Sequence, residues 1–253
     1  MDFLAIDLHI HSLLSPCADR EMTPPNIITR AKDVGLEAIV IADHNSAENQ
    51  QAFLELGKRM GIKILPGIEV QSREDVHLLC IFDSLEQVLR WQHLIYENLP
   101  SLENNKEIFG FQEVVDSQGR KIGENNRLLL AATSFSIDAI NEQVTALGGL
   151  VLPAHIDRPS FSLWNQMGFL KDEFNFIGVE LTPHLKRKKE QLEFIRERNL
   201  GVVISTDAHQ LSQIKGPYTR AYLEDFTVQE LTIALKREQG RSIKLEESLL
   251  SME

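Results

Sequence analysis

Short apolar runs punctuate this chain, and each has a metal-binding or proton-binding residue at one end. The runs 3–6, 39–42, 62–65, 149–153 and 201–204 lead into Asp7-Leu8-His9-Ile10-His11, Asp43-His44, Pro66-Gly67-Ile68-Glu69, Ala154-His155 and Asp207-Ala208-His209. His77 instead precedes its run, 78–82. Unbroken apolar runs of this length fit strands buried on both faces, as in parallel sheets. Between them the spacing becomes helical. Thr23 as N-cap, Pro24-Pro25 in the first turn and Gly35 as a stop predict a helix over 24–34. Further helices are predicted over 47–60 (ended by Gly61), 85–98, 137–147, 185–198 and 228–236, with 72–75 a turn. Strands are predicted over 38–42, 63–70, 76–82, 150–153, 177–181 and 202–205, besides the N-terminal one.

Strands alternating with helices imply a parallel α/β sheet, and about seven of them favour closure into a barrel over an open sheet. From 100 to 133 the pattern weakens, with a small hairpin or turn at 114–120. That segment is expected to be an insertion, either a cap beside the site or a plain connector. No repeat or low-complexity stretch interrupts the pattern.

The strand ends carry the candidate chemistry. Residues i and i+2 of a strand share a face. His9 and His11 therefore project side by side from the end of the first strand. Parallel α/β architectures bind ligands at the C-terminal ends of their strands, where most of the other candidates also fall.

Composition narrows the context. With 253 residues the chain suits one barrel-sized domain or two small ones, and 43% hydrophobic with 25% charged residues is ordinary for a soluble protein. No stretch approaches a membrane span, and the first strand begins too near Met1 for a targeting segment. Cys17 and Cys80 lie on different elements, which argues against a structural disulfide and for a cytoplasmic location. The net charge of −11 argues against a long nucleic-acid partner but leaves room for a small phosphorylated one.

Asp-x-His-x-His near the N-terminus, Asp-His after the second strand, Gly-x-Glu after the third and a late Asp-x-His together resemble the PHP (polymerase and histidinol phosphatase) superfamily. The likeness runs over about 2–222. It implies a single domain with a distorted (β/α)7, TIM-like barrel and two or three divalent ions (zinc, manganese or iron) at the strand ends. His9, His11, Glu69 and Asp207 would hold the first ion. Glu69, as a bridge, with His77 and His155 would hold the second, and His44 and His209 the third. The family places a His or Asp ligand shortly after His-x-His. Here the chain reads Ser15-Pro16-Cys17-Ala18-Asp19, so Cys17, or Asp19 in its stead, would complete the third position. A thiolate suits zinc but serves manganese poorly. The implied activity is phosphoesterase chemistry, with Asp207 and His209 among the catalytic candidates.

Other residues keep two readings each. Arg158 can clamp a phosphate with its planar fork, or pair with Asp157 or a helix acid. Asp7 and Asp43 can orient neighbouring imidazoles or cap turns. His184 can contact substrate or sit on the surface. The run Lys186-Arg187-Lys188-Lys189 can steer substrate or form a solvated face, and mid-helix His93 falls outside the site. Three function classes follow: a phosphatase or phosphodiesterase, a non-catalytic metal-binding regulatory domain, and an amidohydrolase-like hydrolase. The last normally bridges its metals through a lysine, whereas the bridge here is Glu69.

Overall fold

The computed structural model describes residues 2–167, 175–183 and 189–246, in which a curled seven-stranded sheet carries the site. β1 (Asp2–Ile10), β2 (Ala38–His44) and β3 (Lys63–Gln71) run parallel, connected by α1 (Pro24–Asp33) and α2 (Gln50–Met60). Gly61 ends α2 in the left-handed conformation the sequence predicts, at φ 70°. β4 (His77–Ile81) follows, then α3 (Leu85–Asn98), α4 (Lys106–Phe109), the hairpin of β5 (Glu113–Val115) with β6 (Lys121–Glu124), α5 (Ile137–Ala146) and β7 (Leu150–Pro153). The remainder is α6 (Leu163–Met167), β8 (Gly178–Leu181), α7 (Lys189–Glu197), β9 (Gly201–Ile204), β10 (Thr219–Leu223), α8 (Val228–Lys236) and β11 (Ser242–Leu245).

The fully parallel sheet expected from the alternation is corrected at β4. Only the turn 72–75 links β3 to β4, closed by the Ser72 N–H donating to the Val76 carbonyl at 2.9 Å. Parallel pairing needs a crossover of a dozen or more residues, so β4 must return antiparallel, with Gln71 opposite His77. This reversal explains why His77 precedes its run. The start of an antiparallel strand lies at the same rim as the ends of its parallel neighbours.

The order of the main sheet is β11-β10-β1-β2-β3-β4-β7, and β8 with β9 forms a separate parallel pair. β10 and β11 escape the sequence reading because Thr-Arg-Ala-Tyr-Leu and Ser-Ile-Lys-Leu form no apolar run, although Thr219, Ala221 and Leu223 alternate inward. The β8–β9 pair spans from β7 back towards β1. The Ile156 N–H donates to the Glu180 carbonyl at 3.0 Å on one side, and the His11 N–H to the Ala208 carbonyl at 3.0 Å on the other. A continuous hydrogen-bonded ladder around a closed barrel is not present among the described residues.

The core explains where the ligands point. Ala38, Val40 and Ala42 of β2, Leu65 of β3 and Leu79 and Ile81 of β4 belong to one buried cluster with Ile6, Leu8, Leu152 and Val203. His44, Glu69 and His77 continue the same alternation along their strands, so they lie on the inner face above this cluster. Helices cover the other face: Ile27, Ile28 and Phe53 against Ile39 and Ile41, and Val88, Trp91 and Ile140 around Leu78 and Cys80. Gly67 cannot be larger, since a Cβ there would meet Val40 Cγ1 at 2.7 Å.

The 100–133 segment is tied to the rim. The Asn45 amide donates to the Leu129 and Ala131 carbonyls at 2.8 and 2.9 Å. Asn49 accepts from the Val115 N–H at 2.9 Å and donates to the Glu113 carbonyl at 3.2 Å.

Candidate metal centre

Glu69 is the hub. Its Oε1 lies 2.8 Å from His77 Nδ1, 3.1 Å from His155 Nε2 and 3.5 Å from His9 Nε2. Its Oε2 lies 2.9 Å from His44 Nδ1 and 3.5 Å from His11 Nε2. Asp207 adds a second buried carboxylate, with Oδ1 2.9 Å from His11 Nε2, 3.4 Å from His9 Nε2 and 3.6 Å from His209 Nδ1. The structure thus brings together His9, His11, His44, Glu69, His77, His155, Asp207 and His209. Three subsets converge tightly enough to share an ion: His9–His11–Glu69, His44–Glu69–His77 and His11–His44–His209.

Cys17 joins this group although the residue is exposed at the rim. Its thiol faces the imidazoles of His44 and His209. Asp19 is exposed and donates its backbone N–H to the His209 carbonyl at 2.8 Å.

A further layer of acceptors fixes the rings. Glu180 lies 3.0 Å from His9 Nδ1 and accepts the His155 backbone N–H at 3.0 Å. Ser15 Oγ donates to Asp43 at 2.6 Å, accepts the His44 N–H and faces His11 Nδ1 at 2.9 Å. With its one proton spent on Asp43, this hydroxyl is an acceptor for His11 Nδ1–H, which leaves a lone pair on His11 Nε2. Asp43 therefore orients an imidazole, but it is that of His11, through Ser15. Asp7 touches no imidazole; it accepts from the His9 N–H and from the Thr206 N–H and hydroxyl, tying β1 to the loop after β9.

The donor set fits metal ions. Glu69 Oε2, Asp207 Oδ1 and His155 Nδ1 are buried and make no well-aligned hydrogen bond, although imidazole nitrogens lie 2.9 Å from both carboxylate oxygens. Buried polar atoms are nearly always satisfied, so carboxylate oxygens left without an aligned donor among crowded imidazole nitrogens mark a place for a cation. Imidazole and carboxylate together suit zinc, manganese or iron. The loops that deliver the ligands also hold strained backbone, with φ +32° at His155 and +47° at Asp207. Such conformations cost about 1–3 kcal/mol each in non-glycine residues and cluster at functional sites.

Protonation in the metal-free centre follows from this crowding. Burial opposes charge on Glu69 and Asp207. Imidazoles outweigh it (His77, His9 and His44 for Glu69, His9 and His11 for Asp207) and hold both carboxyls well below the usual range. Burial would strip His9 of its proton, but Glu180, Asp207 and Glu69 raise it well above the ordinary value. His44 rises likewise against burial, through Cys17 and Glu69. Burial, with His209 and His44, pushes His11 well below the ordinary value. Burial raises the Cys17 thiol, and His44 and His209 overcome this to bring it to about 6. A proton on His9 Nε2, 3.1 Å from the His11 Nε2 lone pair, thus stands where a cation would.

Among the described residues Arg158 pairs with Asp207 rather than with Asp157 or a helix acid. Its Nη1 lies 2.5 Å from Asp207 Oδ2, while Asp157 accepts from the Thr182 N–H and hydroxyl at 3.0 Å. His93 is on the surface of α3, 3.3 Å from Glu97. His184 and the run Lys186-Arg187-Lys188 lie outside the described residues, as does the side chain of Lys189.

Glu180, Ser15 and Ser12, whose N–H and hydroxyl donate to Asp43 at 2.7 and 2.6 Å, are the participants the sequence reading missed. Glu180 did leave a signal, an acid inside the otherwise apolar buried strand Gly178-Val179-Glu180-Leu181. Substituting Glu180→Gln should weaken metal binding about 10–100-fold, as loss of such supporting acceptors typically does. Titration against a chromophoric chelator measures this, and unchanged affinity would remove Glu180 from the centre.

Comparison with known proteins bears on the same residues. A model of the PHP domain matches residues 7–163. An uncharacterized protein of Methanocaldococcus jannaschii is 26% identical over 199 residues, which cover 79% of this chain and 22% of that protein. The phosphoribosyl 1,2-cyclic phosphate 1,2-diphosphodiesterase of Eggerthella lenta is 32% identical over 78 residues, 29% of each protein. The lesion-specific endonuclease Q of Pyrococcus furiosus has the same fold, with a TM-score of 0.69 at 25% identity over 94% of this chain and 57% of that one. A complex of endonuclease Q with a 27-mer duplex substrate, an abasic lesion at its active site, gives a TM-score of 0.70 at 23% identity with the same coverage. The chain thus spans less than a third of these curated relatives and 57% of the solved endonuclease.

Proposed function

This chain belongs to the PHP domain family, and from that membership we propose that it is a metal-dependent phosphoesterase acting on a small phosphorylated substrate. The observation that carries the reading is the convergence of six imidazoles on two buried, ionised carboxylates at one rim. We assign His9, His11, Glu69 and Asp207 to one ion, and Glu69, His77 and His155 to a second. His44, His209 and Cys17 take a third, with Cys17 favoured over Asp19 because its thiol faces both imidazoles. Divalent ions held there supply Lewis acidity towards phosphoryl oxygens and lower the pKa of water.

The chain's own groups do the rest. Arg158, about one-third exposed, anchors one guanidinium nitrogen on Asp207 and keeps further N–H donors for phosphate oxygens. Asp207 and His209 act in catalysis through the ions they hold. The strand order, with β8–β9 between β7 and β1, fits a distorted (β/α)7 barrel in one domain, with 100–133 as a fixed insertion beside the site. Two free thiols, Cys17 and Cys80, fit a reducing compartment such as the cytoplasm. Among the described residues no helix is long and apolar enough to cross a membrane.

Phosphodiester cleavage is a second reading, favoured by the cyclic phosphodiesterase relative and by the duplex-bound endonuclease. A protein of this fold accommodates a DNA duplex, so the net charge of −11 is too coarse to exclude nucleic acid here. One experiment separates the readings. Protein loaded with zinc, manganese or iron is assayed on p-nitrophenyl phosphate and on bis-p-nitrophenyl phosphate, before and after chelation. Chelator-sensitive monoester hydrolysis is expected. Preference for the diester would favour the second reading, and metal-replete protein inert on both would leave a binding domain. In the same assay Arg158→Ala should raise KM about tenfold or more while keeping its metals, because a charge-assisted hydrogen bond contributes about 1.5–3 kcal/mol. An unaltered KM would leave Arg158 as a structural partner of Asp207.

A further inference from the structure

Phe161 stands where the metal centre opens to solvent. Its ring stacks on the His77 imidazole, with centroids 4.7 Å apart and planes 14° apart. That imidazole in turn touches Glu69. The ring is nevertheless 41% exposed, beside a cluster whose other members are almost all buried. Its backbone is left-handed at φ +53°, a conformation that bulky aromatic residues rarely adopt. The chain holds it there deliberately: the His77 N–H donates to the Phe161 carbonyl at 2.9 Å, and the next residue, Ser162, donates its hydroxyl to the Arg158 carbonyl at 2.7 Å. One short loop thus presents a phosphate-binding guanidinium and an apolar ring three residues apart.

We propose that Phe161 is a substrate contact that selects phosphate esters of planar groups, an aryl alcohol or a nucleoside, by stacking on the plane. This rests on the phosphoesterase reading. The stack with His77 occupies one face of the ring, and the exposed remainder offers apolar surface to a planar group whose phosphate sits at the ions. Packing alone gives no reason to hold a large ring in a strained backbone and half in water. Selection among esters does, because stacking on an aromatic side chain is worth roughly 5- to 150-fold in binding and tolerates any base.

The test uses the metal-loaded full chain as wild type, Phe161→Ala and Phe161→Trp. The ratio of kcat/KM for a nucleoside 5′-monophosphate over that for glycerol phosphate is expected to fall at least about fivefold in Phe161→Ala, mainly through KM, and to recover in Phe161→Trp. Metal content is measured on each variant. An unchanged ratio, or an equal fall on both substrates with lost metal, would make Phe161 only a packing partner of His77 and overturn the proposal. Calorimetric binding of the nucleotide against inorganic phosphate reads the same preference without turnover. Wild type that binds the nucleotide no better than phosphate also overturns it, whereas a Phe161-dependent preference without hydrolysis of any ester would sink the phosphoesterase reading alone.

Discussion

Glu69→Gln is expected to lower kcat/KM on p-nitrophenyl phosphate by about 10³-fold, since leaving buried charges uncompensated costs about 3–5 kcal/mol and each 1.36 kcal/mol is tenfold. It should also cost the protein more than one ion per chain. The substitution keeps the size of the side chain and one oxygen but removes the charge. Five imidazoles lie within 3.5 Å of the two carboxylate oxygens, so no other side chain among the described residues faces as many candidate ligands. Asp207→Asn should act in the same direction but remove fewer ions, because Asp207 faces only His9, His11 and His209 among the ligands. Elemental analysis alongside the assay distinguishes the two. Full metal content and activity in Glu69→Gln would mean that the carboxylate does not bridge.

How much of this was legible in the sequence depends on the kind of interaction. Covalent neighbourhood and period are visible along a chain. His9 and His11 share a face, Gly61 and the Ser72 turn stop or reverse the backbone, and each ligand sits at the end of an apolar run. All nine residues proposed as ligands consequently meet in the fold, Cys17 included. The direction of β4 was implicit in the same turn, too short for a crossover, but the alternation of strands and helices concealed it. Interactions across sequence-distant elements left little trace. Glu180 meets His9 across 171 residues, and Arg158 finds Asp207 rather than its neighbour Asp157. β10 is held by pairing with β1 more than by its own five residues, which is why periodicity overlooked it. Phe161 was invisible for the same reason: an aromatic residue in a loop says nothing of the imidazole it will stack on.

Metal affinity should climb steeply with pH, and the sign follows from the metal-free protonation. His9, His44 and His209 have raised pKa values, so they carry protons at pH values where an ordinary imidazole, near 6.5, has largely lost its own. An ion must displace those protons, because only the neutral imidazole is a ligand. Below the raised values each displaced proton costs a factor of ten in apparent affinity per pH unit. Two displaced together from His44 and His209, which share the third ion, give about 100-fold per unit. Apparent zinc affinity measured by chelator competition should therefore rise about 10–100-fold from pH 6 to pH 7, with proton release visible as a buffer-dependent calorimetric enthalpy.

Stability of the stripped protein has contributions of both signs over this range, because the lowered Cys17, His11 and His77 gain with rising pH while the raised imidazoles lose. The raised His9 and His44 contribute stability that is complete below the unfolded imidazole value and fades as pH rises through the folded one. Glu69 and Asp207 are depressed, so their contribution persists across neutral pH and fails only as acid approaches their low folded values. The gap in Tm between metal-loaded and chelated protein should accordingly widen from pH 6 to pH 9. A gap independent of pH, with no protons released on binding, would mean that the ions do not displace protons from this imidazole cluster.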